Sequence, residues 1–65
     1  MNDRVERVFA AALALFEGDE AAARRWMGRP QPAFGGVMPS EYAKTEAGAR
    51  EVEDLIGRLE NGVFS

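Results

Sequence analysis

The chain has 65 residues, 46% of them hydrophobic and 29% charged, with eight lysines and arginines against eleven aspartates and glutamates and a formal net charge of −3. Cysteine and histidine are both absent, which excludes disulfides, thiolate or imidazole metal sites, and catalysis that relies on histidine as a base. No run approaches the roughly 20 apolar residues of a membrane span, the apolar share is too high for a disordered tail, and an acidic balance is a poor starting point for binding nucleic-acid phosphates.

A length of 65 residues bounds the chain to one domain. A domain of this size hides only about 60% of the surface its unfolded chain exposes. Its core alone seldom supplies more than about 3–5 kcal/mol. The missing stability is therefore expected from a protein surface, either a second copy or a different partner. The opening "MNDRVER" is polar and mixed in sign, so it reads as neither a signal peptide nor a transit peptide. A cytoplasmic location is expected.

The first segment, Asp3 to Glu17, carries Val5, Val8, Phe9, Ala12, Leu13 and Phe16 at helical spacing, which predicts an amphipathic helix. Asp3 with Glu6 can form a capping box, and Gly18 supplies the left-handed residue that commonly ends a helix. Asp19 is a good N-cap for a second, alanine-rich helix that runs to Gly28, with Ala22, Ala23, Trp26 and Met27 along one side. This helix is short, and isolated helices under about 12 residues are marginal. Packing must hold it.

Pro30 and Pro32 then forbid helix at the residues before them, and Gly35-Gly36 permits a sharp turn that side chains would block. Phe34 and Val37 are the expected anchors of this rigid strap, together with Trp26 from the preceding helix. Pro39 suits the first turn of a third helix, Pro39 to Thr45. The last helix starts near Thr45, whose hydroxyl is a good cap, with Glu46 at the positive end of the dipole. Val52, Leu55, Ile56, Leu59 and Val63 form its apolar stripe, and Gly62 is the expected stop. The fold class predicted is all-α: a small bundle of about four helices with an ordered Pro/Gly-rich connection between the second and third.

The charges are uneven. Arg24, Arg25 and Arg29 gather near the middle, while Glu46, Glu51, Glu53, Asp54 and Glu60 load the last third; both groups read as solvated helix faces. Catalytic patterns are missing. Ser40 and Ser65 have no histidine to activate them. Glu53 and Asp54 are sequence neighbours, about 100° apart around a helix, and so do not converge on one substrate. "FGGVMPS" before a helix lacks the lysine and the spacing of a phosphate-binding loop. Trp26 and Phe34 could stack on bases, but acidic surroundings favour core packing. No enzyme activity, metal or cofactor is expected.

From Ala14 to Ser65 several punctuated motifs fall in order: Arg25-Trp26-Met27, the turn Pro30 to Gly36, a "P-x-x-x-A-x-T" helix from Pro39 to Thr45, "G-x-x-x-V-x-x-L-I" from Gly48 to Ile56, and "L-x-x-G-V-F" from Leu59 to Phe64. This arrangement resembles the C-terminal toxin-binding domain of the Xre/MbcA/ParS-type antitoxins. The resemblance implies a non-enzymatic inhibitor of a RES-domain toxin that consumes NAD, with the antitoxin's C-terminal end placed at the toxin's active-site cleft. The residues so implicated are Leu59, Glu60, Asn61, Gly62, Val63, Phe64 and Ser65, while Trp26, Phe34, Gly35, Gly36 and Pro39 are structural anchors. An acidic helix end there would compete for the cations that hold a dinucleotide's phosphates.

Most of the resembled proteins carry a helix-turn-helix domain ahead of this one; here only Met1 to Leu13 precede or overlap the first family helix, too few to form it, so either a shortened form or a stand-alone form without DNA-binding ability is expected. Operator binding is therefore not expected of this chain, nor is any nucleic-acid or membrane partner. A homodimer within the complex is compatible with the reading. The competing expectation is a homo-oligomerisation module of a DNA-binding transcriptional regulator whose DNA-binding domain is missing.

Overall fold

Stripes of apolar residues at helical spacing leave each segment one face to bury, and the segments bury them against one another. The computed structural model describes residues 3–60. They form helices α1 (Asp3–Leu15), α2 (Glu20–Met27), α3 (Pro39–Tyr42) and α4 (Glu46–Glu60), with a short 3-10 turn at Pro32–Phe34 between α2 and α3. The all-α class is as the sequence predicts. The core consists of Val8, Ala12, Ala23, Met27, Phe34, Ala43, Ala49, Val52 and Ile56. Four of these nine are alanines, so the helix backbones can approach closely where they meet.

Asp3 is the first helical residue of α1 rather than the cap ahead of it, with Glu6 in the same turn. The helix ends at Leu15, two residues short of the expected Glu17. The reason is a turn of two left-handed residues: Glu17 has φ 56° and Gly18 φ 86°. The Gly18 amide donates to the Leu13 carbonyl at 2.8 Å and the Glu17 amide to that of Ala14 at 3.1 Å. These paired bonds are the Schellman closure. Its left-handed position falls on Glu17, ahead of the glycine the sequence singles out.

Asp19 caps α2 as expected, accepting from the Ala22 amide at 3.1 Å. Ala23 and Met27 are buried, while Trp26 is half-buried at the core's margin. In the connection that follows, Gln31 and Val37 form an isolated antiparallel bridge, closed by the Gln31 amide on the Val37 carbonyl at 3.2 Å. Between them Gly35 (φ 68°) and Gly36 (φ 87°) turn the chain back. Phe34 is 6% exposed and stacks on Tyr42, ring centroids 4.5 Å apart. Val37, the other expected anchor, is instead 38% exposed. Phe34 belongs to the 3-10 turn and Val37 to the bridge, so the two apolar residues sit in different local backbones and only one is buried.

Pro39 is fully buried at the start of α3. That helix is a single turn ending at Tyr42, not the longer segment to Thr45 that the pattern predicts. Helix α4 starts immediately afterwards. Thr45 caps it, its Oγ1 accepting from the Gly48 amide at 3.0 Å and its carbonyl from Ala49 at 2.9 Å. The capping geometry at Thr45 requires extended backbone there, which α3 could not supply by continuing. Gly48 is buried because the α3 backbone lies directly on it. A Cβ at this position would collide with the Tyr42 carbonyl oxygen and stand 2.9 Å from its carbon.

Candidate functional site

The last helix is the element that carries the predicted binding residues, and ion pairs and capping fix where it points. Arg4 on α1 reaches Glu46 at 3.1 Å, and Arg7 reaches Glu46 at 3.3 Å and Glu53 at 3.0 Å. Arg50 adds a third cation on Glu46 at 3.3 Å. The start of α4 is thus tied to the start of α1, and the two helices run in the same general direction. Sequence reasoning assigns Glu46 and Glu53 to a solvated face. The structure makes them the partners of α1's arginines, a pairing between residues 39 to 46 positions apart that periodicity does not encode. The hydrogen bond from Arg4, followed by those from Arg50 and Arg7, holds the Glu46 carboxyl below the ordinary carboxylate range against the opposing effect of desolvation.

On the other side of α4, the Tyr42 hydroxyl donates to Glu51 at 2.8 Å. That hydrogen bond pushes the Tyr42 phenol above its usual value. Phe34 stacks on the same ring, so the connection, α3 and α4 share one aromatic joint. Gly35 and Gly36 are exposed, with open space where a Cβ would sit. Their role is the left-handed backbone itself.

At the far end of α4 the apolar stripe leaves the core. Ile56 is 1% exposed, whereas Leu59, one turn on, is 45% exposed. Leu55, the residue before Ile56, is half-buried. It lines a hollow of about 230 Å³ with Ala33, Phe34, Glu51, Asp54 and Arg58. Arg58 pairs with Asp54 at 2.7 Å on that rim. Glu60 is exposed. Of the predicted binding residues the structure brings Leu59 and Glu60 together in the final described turn. Asn61, Gly62, Val63, Phe64 and Ser65 lie outside the described residues.

No group of three or more Asp or Glu side chains among the described residues could hold a metal ion, and no helix among them is long and apolar enough to cross a membrane. Gly48 is the one structural residue whose role composition hid. A glycine inside a helix is destabilising by about 1 kcal/mol against alanine, and that penalty was the available sign of a close backbone approach.

The last turn of the described residues thus carries an exposed leucine on a helix whose start is tied to α1. Residues 11–62 match the family described as the antitoxin Xre/MbcA/ParS C-terminal toxin-binding domain. Curated relatives named antitoxin Xre agree. The one from Yersinia enterocolitica is 52% identical over 62 residues, covering 95% of this chain and 42% of the relative. That from Photorhabdus laumondii is 45% identical over 62 residues, with the same coverage. That from Pseudomonas putida is 31% identical over 64 residues, covering 94% of this chain and 40% of its own length. The chain spans about two fifths of the length of these relatives. No solved structure matches it. The chain belongs to the Xre/MbcA/ParS antitoxin C-terminal toxin-binding domain family.

Proposed function

We propose that this domain inhibits a RES-domain, NAD-consuming toxin by seating its C-terminal end, from Leu59 to Ser65, at the toxin's active site, and that it acts without catalysis of its own. The observation that carries the reading is Leu59. A large apolar side chain 45% exposed on the last turn of α4 is in place to bury apolar area against a partner, worth about 25 cal/mol per Å² removed from water. Glu60 follows it, and carbonyls at a helix C-terminus carry partial negative charge. Such an end is matched to a cleft whose cations hold phosphates. The ion pairs and caps that fix the start of α4 support the same reading, because a helix held in place through Glu60 loses less entropy on binding than a free one.

The test is a truncation. Removing Val63 to Ser65 is expected to weaken inhibition of NAD consumption by the toxin while leaving the helical circular dichroism unchanged. Undiminished inhibition would rule the end out as the plug.

A further inference from the structure

The hollow beside the later turns of α4 has a floor and a rim of different chemistry. Ala33 and Phe34, from the 3-10 turn, supply the apolar floor with Leu55, while Glu51, Asp54 and Arg58 stand around it. Positions 51, 54, 55 and 58 of α4 have the three-and-four spacing of a single helix face. Phe34 is held in the floor, being 6% exposed and stacked on the Tyr42 ring, whose hydroxyl donates to Glu51 at 2.8 Å. Ala33 is exposed, a small side chain where a larger one would fill the space.

We infer that this hollow receives an apolar side chain of the toxin, one flanked by a lysine or arginine, and that it forms one contact surface with Leu59. The inference deepens the toxin-binding reading and rests on it. Continuity is the first ground. Leu59 follows Leu55 by four residues, which makes the two neighbours on the helix surface, and Leu59 is 45% exposed. The apolar strip therefore runs from the floor of the hollow to the end proposed to meet the toxin.

Size is the second ground. A volume of about 230 Å³ lies below the roughly 300–1,000 Å³ of small-molecule sites and suits a single side chain. Charge is the third. Two carboxylates against one guanidinium leave the rim negative, with Arg58 on Asp54 at 2.7 Å. Asp54 and Glu51 keep lone pairs beyond the bonds they accept from Arg58 and Tyr42, so a partner cation joins the rim without displacing either donor. An apolar pocket ringed by groups that exclude water is the form taken by the strongest interface contacts. The exchange is reciprocal: the domain offers Leu59 and accepts a side chain in return.

Titration calorimetry of the whole chain against a RES-domain toxin tests it. Ala33→Leu fills the hollow from an exposed position and should melt with the parent while binding the toxin about tenfold more weakly or worse. Ala33→Ser leaves the hollow open and should bind like the parent. Asp54→Asn removes one charge from the rim, so its binding should be about threefold weaker at low salt, with the difference shrinking as salt is raised. The inference is overturned by Ala33→Leu binding as the parent does, by Ala33→Ser binding as poorly as Ala33→Leu, or by Asp54→Asn keeping the parent's affinity at low salt. Ala33→Leu that loses self-association but keeps its toxin affinity would give the hollow to a second copy and also overturns it. A parent that binds no toxin sinks the toxin-binding reading with this one, whereas a parent that binds beside an unimpaired Ala33→Leu sinks this inference alone.

Discussion

The two ends of α4 are built on opposite terms. At its start, backbone meets backbone. Thr45 caps the helix, the Tyr42 carbonyl lies against Gly48, and Glu46 collects three arginines. At its finish, Ile56 is the last core residue and Leu59 faces outward. The first end is tied into the domain by these contacts, whereas the second presents an apolar side chain that the described fold leaves uncovered. In a chain of 65 residues, one end of this helix is fixed within the domain, and the other carries the contact surface proposed above.

The largest effect should follow from breaking the fixed end. Gly48→Ala places a methyl group in the Tyr42 carbonyl, and overpacking of this kind destabilises by about 2–3 kcal/mol. For a domain this small the melting temperature should fall by roughly 10 °C or more, read by thermal circular dichroism. A variant that melts with the parent would show that α3 shifts freely, and the contrast between the two ends would dissolve.

Acid should act next, and through the same end. The folded Glu46 carboxyl titrates below its unfolded value, so its contribution to stability is full above the ordinary carboxylate pKa. It is lost as pH falls through that value towards the depressed one. Glu46→Gln should therefore lower stability at neutral pH and leave less acid-dependent loss. Denaturant titrations at neutral and acidic pH check this. Tyr42 has the opposite sign, since its raised phenol contributes fully below the ordinary tyrosine value and loses that contribution as pH rises through the folded one.

The smallest effect sharpens the comparison from outside it. Glu17 occupies a left-handed backbone position, φ 56°, that costs a residue with a Cβ about 1 kcal/mol or more. Glu17→Gly should thus be stabilising by a few tenths of a kcal/mol to about 1 kcal/mol without touching α4. Unchanged inhibition with a slightly higher melting temperature is the expected pair of results.

Much of this was legible in the residues. Asp19 and Thr45 announced helix starts by their chemistry, and Val8, Ala12, Val52 and Ile56 declared core faces by their period. Both signals are local. What the residues could not show was anything set by contact between distant segments. The Glu46 and Glu53 pairs with Arg4 and Arg7 depend on α4 lying beside α1. The early end of α3 depends on Thr45 being needed as a cap. Val37 and Phe34 are both apolar in sequence, and only the folded chain, with Phe34 stacked on Tyr42 and Val37 in the bridge to Gln31, separates the buried one from the exposed one. At the candidate site, Leu59 continues the apolar stripe perfectly in spacing. Its exposure among the described residues is set by packing in three dimensions, which spacing along one helix does not encode.

The account's central claim is that α4's uncovered end, not its fixed end, meets the toxin. Leu59→Ala tests it most directly, because alanine keeps the charge and the helix propensity, and truncating an exposed side chain away from the core should change stability by no more than about 0.5 kcal/mol. We expect this variant to melt with the parent while its titration against toxin-catalysed NAD consumption shifts to at least about tenfold higher concentration, as loss of a buried apolar anchor would produce. A variant that inhibits as well as the parent at equal concentration would contradict the claim.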